Sequence, residues 1–248
     1  MDILYIVGTG SKVFNLELRC SLRSIDTYGI NVGRVFVSGH CPGWLSDEVV
    51  KLRCADRYLG VIPISLKHVN IIRKILYAVD NSDIGDEFLV SMDDHFYTRP
   101  VDFDRYPHYV RVKDGKAEIP LTAKSPYQTF KARTGKLLRE MGLPAYNFGM
   151  HRNIHLTRRA ILDLRPMIDE MVAGDREVIS IFDLCNNYEY EKYGMFNITP
   201  VKDIKFTYAE SWARTGLDEV FSLNDFCAGS GLDLLLMEKY PHKSRFEV

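Results

Sequence analysis

Cysteine is scarce in this chain. Its 248 residues hold five, an odd number, and none forms a C-x-x-C pair. Zinc-ribbon and disulfide-framework folds are thereby excluded, and buried reduced thiols fit the pattern best. A charge excess is missing too: 32 basic and 33 acidic residues leave a net charge of -1. Extensive non-specific binding to a phosphate backbone normally needs a more basic chain, although a local basic patch remains compatible with this balance. Apolar runs are all too short to span a membrane. The start, Met1-Asp2-Ile3-Leu4-Tyr5-Ile6-Val7, lacks the basic opening and long apolar region of a secretory signal. A cytoplasmic protein without a membrane span is expected. Internal repeats and low-complexity linkers are likewise missing, and a composition 46% hydrophobic and 26% charged argues against disorder. The length suits one large α/β domain or a domain with a subdomain.

What the chain does have is an alternation of short apolar runs and helical spacings. Ile3-Leu4-Tyr5-Ile6-Val7 reads as a strand that stops at Gly8-Thr9-Gly10-Ser11. Leu16, Leu18, Leu22 and Ile25 follow at roughly helical spacing, and Arg34 to Gly39 reads as the next strand. Tyr58-Leu59-Gly60-Val61 is a weaker third candidate, and a helix is expected from about Leu66 to Val79. Phe88-Leu89-Val90-Ser91-Met92 then runs into Asp93-Asp94-His95-Phe96-Tyr97. Strand, helix, strand, helix, strand is the order of a mostly parallel sheet with right-handed crossovers. Ligands of such sheets bind at the carboxyl ends of the strands, where Gly8-Thr9-Gly10 and Asp93-Asp94 both fall. After Pro100 the alternation ends. A basic amphipathic stretch runs from Phe130 to Arg139, helices are expected over about Thr157–Met171 and Val178–Lys192, and Ile198–Val201 reads as a late strand.

Two adjacent carboxylates at a strand end are costly unless a cation or strong donors meet them. A hard divalent ion, Mg²⁺ or Mn²⁺, suits Asp93 and Asp94, because it prefers carboxylate oxygen and bridges to phosphate. A solvated acidic turn is the plainer alternative. Adjacent strand residues face opposite ways, so the pair can share one ion only if the strand has already broken; otherwise one acid ligates and the other orients ribose, water or acceptor. The Gly8-Thr9-Gly10 turn matches neither G-x-G-x-x-G nor the Walker pattern. Its amide groups could meet a nucleotide, or the turn could simply use glycine for positive φ. His151 and His155 would share a face on a helix, without the H-E-x-x-H signature of zinc enzymes. His151 is the candidate general base and His155 a packed residue. Arg152, Trp212 and Arg214 are candidates for contacts with sugar or phosphate, the last two in a closing loop. The Lys131–Arg139 stretch is first a solvated helix face and only secondly an anion site.

Ordered blocks of this chain resemble the Stealth sugar-phosphate transferases. Leu18-Arg19-Cys20-Ser21-Leu22-Arg23-Ser24-Ile25 resembles that group's arginine block, and Arg34–Val37 with Pro42-Gly43-Trp44-Leu45 its next strand and turn. Ser91-Met92-Asp93-Asp94-His95-Phe96 is similar to its metal segment, Gly149-Met150-His151 with Thr157–Leu162 to its histidine block, and Pro241–Glu247 to its closing signature. The acid pair by itself is shared with many glycosyltransferases of the GT-A fold. The resemblance implies an α/β, GT-A-like, mostly parallel sheet flanked by helices, in a single domain spanning 1–248. Residues 1–100 would form the nucleotide-sugar half, and 101–248 an acceptor-binding half with a lid. It implies Mn²⁺ or Mg²⁺ on Asp93 and Asp94, catalytic roles for Asp94 and His151, and substrate contacts from Gly8, Thr9, Gly10, Arg19, Arg23, Arg152, Trp212 and Arg214. The group's opening acid is absent from Val7-Gly8-Thr9-Gly10. Transfer of a sugar from a nucleoside-diphosphate sugar, a UDP-sugar first, is therefore expected ahead of sugar-1-phosphate transfer with release of UMP. The acceptor would be a carbohydrate polymer or a hydroxymethylated base in DNA, and the enzyme a phage or bacterial relative of the group. A carbohydrate-binding protein that has lost catalysis is the non-enzymatic alternative.

Overall fold

The run Ile3–Val7 is apolar at every position because both of its faces are covered. A computed structural model of the chain describes residues 1–174, 178–194, 196–202, 205–206, 219–223 and 231–248. In it β1 (Asp2–Val7) is the middle strand of a five-stranded sheet. The neighbours are β3 (Val35–Gly39) and, beyond it, β4 (Val49–Arg53) on one side, and β5 (Glu87–Met92) and β9 (Ile154–Thr157) on the other. The first four of these strands run parallel and β9 runs antiparallel to β5. Period-two alternation divides β1 between two cores. Ile3, Tyr5 and Val7 pack with Leu18, Leu22 and Ile25 of α1 (Leu16–Tyr28), whereas Leu4 and Ile6 pack with Val69, Ile72 and Ile75 of α2 (Ile64–Asn81). Such two-sided cover is what makes parallel strands continuous in their hydrophobicity.

The expected third strand at Tyr58–Val61 is a loop, and the strand lies earlier, at β4. Lys51 and Arg53 interrupt β4, as befits a sheet edge. Leu59 and Val61 are instead exposed. The stretch from Thr157 to Met171 divides into α4 (Arg158–Asp163) and α5 (Arg165–Gly174), after β9 has used the residues just before. The two are followed by α6 (Ile181–Tyr193). The basic stretch forms α3 (Pro126–Glu140), started by Ser125, whose hydroxyl accepts from the Gln128 amide at 3.2 Å. Ile198–Val201 is the expected late strand, β10, which pairs with β8 (His108–Arg111).

Beyond β5 the chain turns at Asp93-Asp94 and resumes as β6 (His95–Tyr97). This strand pairs antiparallel with β12 (Val220–Leu223), which opposes Ser222 to His95. The last helix, α7 (Leu232–Lys239), leads to a carboxy-terminal tail docked against α1. Four cysteines, Cys20, Cys41, Cys54 and Cys185, are buried free thiols, as expected; Cys227 lies outside the described residues. Among the described residues no helix is long and apolar enough to cross a membrane.

Candidate functional site

The carboxyl ends of β1 and β5 open onto a cleft of about 840 Å³. It is lined by Gly8, Thr9 and Gly10 from the β1–α1 loop, by Asp93 and Asp94 from the β5–β6 turn, and by His151. Strand alternation would have sent the two carboxylates to opposite faces. It does not apply, because β5 ends at Met92 and both acids sit in the turn. The Asp94 carboxylate accepts from the Ser222 hydroxyl at 2.7 Å, which ties the turn to β12. A hard divalent ion takes one or two carboxylates and completes its shell with water and phosphate oxygens. Asp93 and Asp94, half-buried on an open cleft wall, fit that donor set.

Gly8 and Gly10 are not in the left-handed region, so positive φ is not why glycine stands there. Phe14 and Asn15 carry the positive φ values instead, 55° and 60°, just before α1. The Ser11 hydroxyl accepts from the amides of Asn15 at 2.8 Å and Val13 at 3.3 Å. Those two amides are therefore already engaged within the loop.

Three lining side chains, Asp56, Lys74 and His68, escaped the sequence reading. Asp56 accepts from the Lys74 ammonium at 2.5 Å and from the Thr9 amide at 3.3 Å, so an acid does stand beside the glycine turn after all. Lys74 is 3% exposed, and its stem passes where a Cβ on Gly39 would lie 2.7 Å from its Cε. Lys131 is buried against Asp183, which is fully buried on the first turn of α6. The other oxygen of Asp183 accepts from the Gly149 amide at 2.9 Å, two residues before His151. That network holds the His151 loop against both α3 and α6. Within the Lys131–Arg139 stretch, Lys131 thus points inward, against the reading of a solvated face, whereas Lys136 and Arg139 are exposed as that reading expects. His68 stacks on Phe130 at 4.1 Å. Burial, with the Lys131 cation nearby, pushes the pKa of His68 down to about 3. No local motif announces these residues: Asp56 comes from the loop after β4, His68 and Lys74 from α2, and Lys131 from α3.

Other expected contacts fall elsewhere. Arg23 is buried and bidentate to Glu247, at 2.7 and 3.0 Å, and donates to the Tyr240 carbonyl at 2.9 Å. Arg19 pairs with the same carboxylate at 3.3 Å and lies over the Trp44 ring at 4.6 Å. The arginine block thus anchors the carboxy-terminal tail, and neither arginine lines the cleft. Arg152 is buried over Tyr109, 5.0 Å from the ring centre, and also lies off the cleft wall. Contrary to the expected substrate contacts, none of Arg19, Arg23 and Arg152 lines the cleft: buried Glu247 takes the first two, and Arg152 lies over the half-buried Tyr109 ring. His155 sits on β9 rather than sharing a helix face with His151, and is packed as expected. Trp212 and Arg214 lie outside the described residues. Among the described residues one group of three brings metal-ligand atoms within 4.8 Å of one another: Glu87, His108 and His155.

No protein-family model matches the chain. Among curated proteins it is similar to an exopolysaccharide phosphotransferase, CpsY, of Mycobacterium leprae (strain TN), with 24% identity over 219 residues. The match covers 82% of this chain but 40% of that protein, so the chain spans about two fifths of the relative's length. Among solved structures it is similar to the galactosyltransferase LgtC in complex with donor and acceptor sugar analogues. The TM-score is 0.52 at 13% identity, covering 99% of this chain and 98% of that one. An active-site mutant of LgtC aligns with a TM-score of 0.50 at 11% identity, over 96% and 95% of the two chains. The likeness to the LgtC structures bears out the expected GT-A-like α/β fold, a mostly parallel sheet flanked by helices.

Proposed function

We propose that the cleft binds a nucleoside-diphosphate sugar, a UDP-sugar first, and transfers its sugar to an acceptor hydroxyl. The observation that carries this reading is the turning of Asp93 and Asp94 out of β5 into a cleft that also holds the β1–α1 loop. Mn²⁺ or Mg²⁺ held by these carboxylates would neutralise the diphosphate leaving group. Ser222 fixes one oxygen of Asp94, whose side chain lines the cleft. Asp56, held by Lys74 and the Thr9 amide, orients a ribose hydroxyl. His151 takes the proton of the acceptor hydroxyl as its oxygen bonds to the anomeric carbon, and the bond from that carbon to the diphosphate breaks. The Gly149 amide bound to Asp183 keeps His151 in position for this step. Residues 1–100 serve the donor and 101–248 the acceptor.

Calorimetry with UDP and UDP-sugars, with and without Mn²⁺, tests the reading. Binding should require the metal and weaken at least about tenfold in Asp94→Asn and in Asp93→Asn, since each removes a charged ligand. Metal-independent binding that survives both substitutions would instead indicate a carbohydrate-binding protein. The similarity to a phosphotransferase favours a second reading, transfer of sugar-1-phosphate. The released nucleotide separates the two, UDP for sugar transfer and UMP for phosphosugar transfer. Labelled donor offered to a carbohydrate polymer or to hydroxymethylated DNA identifies the acceptor.

A further inference from the structure

The loop between β4 and α2 holds a stretch that neither core packing nor the chemistry of the cleft accounts for. Leu59-Gly60-Val61-Ile62-Pro63-Ile64 is six residues in a row without a polar side chain. A run of that kind normally means burial, as in β1, yet Leu59 is 68% exposed and Val61 fully so. The loop is nevertheless anchored. Asn70 of α2, itself buried, accepts from the Arg57 and Tyr58 amides at 2.9 and 3.2 Å and donates to the Tyr58 carbonyl at 2.8 Å. The exposed pair therefore stands on a fixed base.

A second loop presents apolar side chains beside it. Val13 lines the same cleft as Leu59, Val61 and Tyr127, and Phe14, next in the chain, is 94% exposed. Phe14 also has a φ of 55°, a left-handed conformation that is costly for a bulky residue. Among the described residues Val61 and Phe14 are the two most exposed large apolar side chains. Single exposed apolar residues need no explanation, but a cluster contributed by separate loops to one rim does.

The exposed charges of this rim are basic. Lys12 and Lys67 line the cleft mouth, and Lys124 lies three residues before Tyr127; all three are exposed. Among the described residues none of them has a carboxylate within ion-pair distance, whereas Lys51, Lys136 and Lys192 elsewhere on the surface are each paired. The acids of the same two loops are engaged locally. Asp56 holds Lys74, and Glu17 accepts from the Ser11 hydroxyl at 3.0 Å. Apolar side chains bordered by lysines match a lipid surface of negative charge, where the apolar groups enter the headgroup layer and the ammonium groups meet phosphates. A second copy of the chain fits less well, because a two-fold contact would set the same lysines against one another.

We propose that the rim formed by residues 12–14, 59–64 and 67 docks on an anionic phospholipid bilayer. Phe14, Leu59 and Val61 enter the headgroup layer, and Lys12, Lys67 and Lys124 pair with lipid phosphates. The cleft then opens at the membrane face. This docking is independent of the transferase reading, since no nucleotide takes part in it.

Flotation of the full chain with vesicles of phosphatidylcholine, alone or mixed with phosphatidylglycerol, tests the proposal without any nucleotide, so its outcome is separate from that of donor binding. The protein should float with the anionic vesicles and not with the neutral ones, and binding should weaken as salt rises. Lys12→Gln and Lys67→Gln should each lower vesicle affinity about fivefold, the worth of one basic contact at an anionic surface. Leu59→Ser with Val61→Ser should lower it by at least as much, since lost apolar contact weakens interfacial binding. All four side chains are exposed or half-exposed, so the variants should keep the parent's circular dichroism and melting temperature. Phe14→Trp should add a tryptophan emission that shifts to the blue with anionic vesicles, a readout that removes no contact. Absence of flotation with anionic vesicles overturns the proposal. So does binding that is equal on neutral vesicles or unchanged by the lysine and apolar substitutions. A dimer in sedimentation that Leu59→Ser with Val61→Ser dissolves, without vesicle binding, would assign the rim to a second copy instead.

Discussion

His68 shows how one residue can be neutral for packing reasons and expose that choice to pH. Its ring is stacked on Phe130 beside the Lys131 cation, with Asp183 the nearby group acting the other way. The folded pKa of about 3 lies below the 6.5 of an ordinary histidine. The unfolded chain therefore binds the extra proton over that interval. Stability should be full above pH 6.5 and fall as pH drops towards about 3, with a slope approaching ~1.4 kcal/mol per pH unit for one proton. Replacing His68 by Phe keeps an aromatic stack and should flatten this slope. Urea unfolding of both proteins between pH 4 and 7 reads the difference directly.

At the scale of elements, α3 and α6 are joined at their buried faces by one ion pair. Lys131 and Asp183 are both buried, and Asp183 also carries the Gly149 amide. Removing one partner leaves an uncompensated charge in a low-dielectric place, which costs roughly 3–5 kcal/mol. Asp183→Asn or Lys131→Met should destabilise by about that much in urea. The double change Lys131→Met with Asp183→Leu should cost less than the two single losses summed, because no lone charge remains. Asp183→Asn should also lower the turnover of any transferase reaction more than it changes donor affinity, since it loosens the His151 loop and leaves the acid pair alone. Steady-state kinetics separates kcat from KM.

Across the whole molecule, the two ends of the chain are tied through α1. Glu247 is buried and takes Arg23 in a bidentate pair, with Arg19 and the Ser244 amide adding to it. Burial alone would raise the Glu247 pKa, but the Arg23 and Ser244 hydrogen bonds outweigh it and hold the carboxyl below the usual glutamate range. A depressed carboxylate stabilises above the unfolded pKa of about 4.5 and loses that contribution as pH falls through the folded value. Glu247→Gln should therefore cost stability at neutral pH, about 3–5 kcal/mol for a broken buried pair, and the deficit should shrink below pH 4.5. Thermal melts at pH 7 and pH 4 check both parts. The near-zero net charge carries its own expectation: duplex DNA should bind weakly at ~0.15 M salt, where few phosphate contacts survive. Tight binding by anisotropy would raise the standing of a DNA acceptor.

Elements with strong periodicity were legible before any coordinates. β1, β3, β5, α1 and α2 follow from apolar runs and helical spacing, because each buries a face that its own residues must supply. Tyr58–Val61 reads as a strand because apolar residues at an exposed lip have a strand's composition, and β4 does not because a short sheet edge tolerates Lys51 and Arg53. The acid pair and His151 were likewise legible as local chemistry. Arg19 and Arg23 were not: an arginine's partner is decided by what arrives from elsewhere, here a tail 224 positions away from Arg23. By itself, then, the amino-acid order determined the strand–helix alternation, the reduced cysteines and the presence of costly acids at a strand end. Only the tertiary structure decided that the strand breaks before those acids, that Asp56, Lys74 and His68 converge on their cleft, and that Glu87 meets two histidines at the far end. Periodicity and local cost act over a few neighbouring residues, whereas each of those meetings depends on how separate elements cross in space.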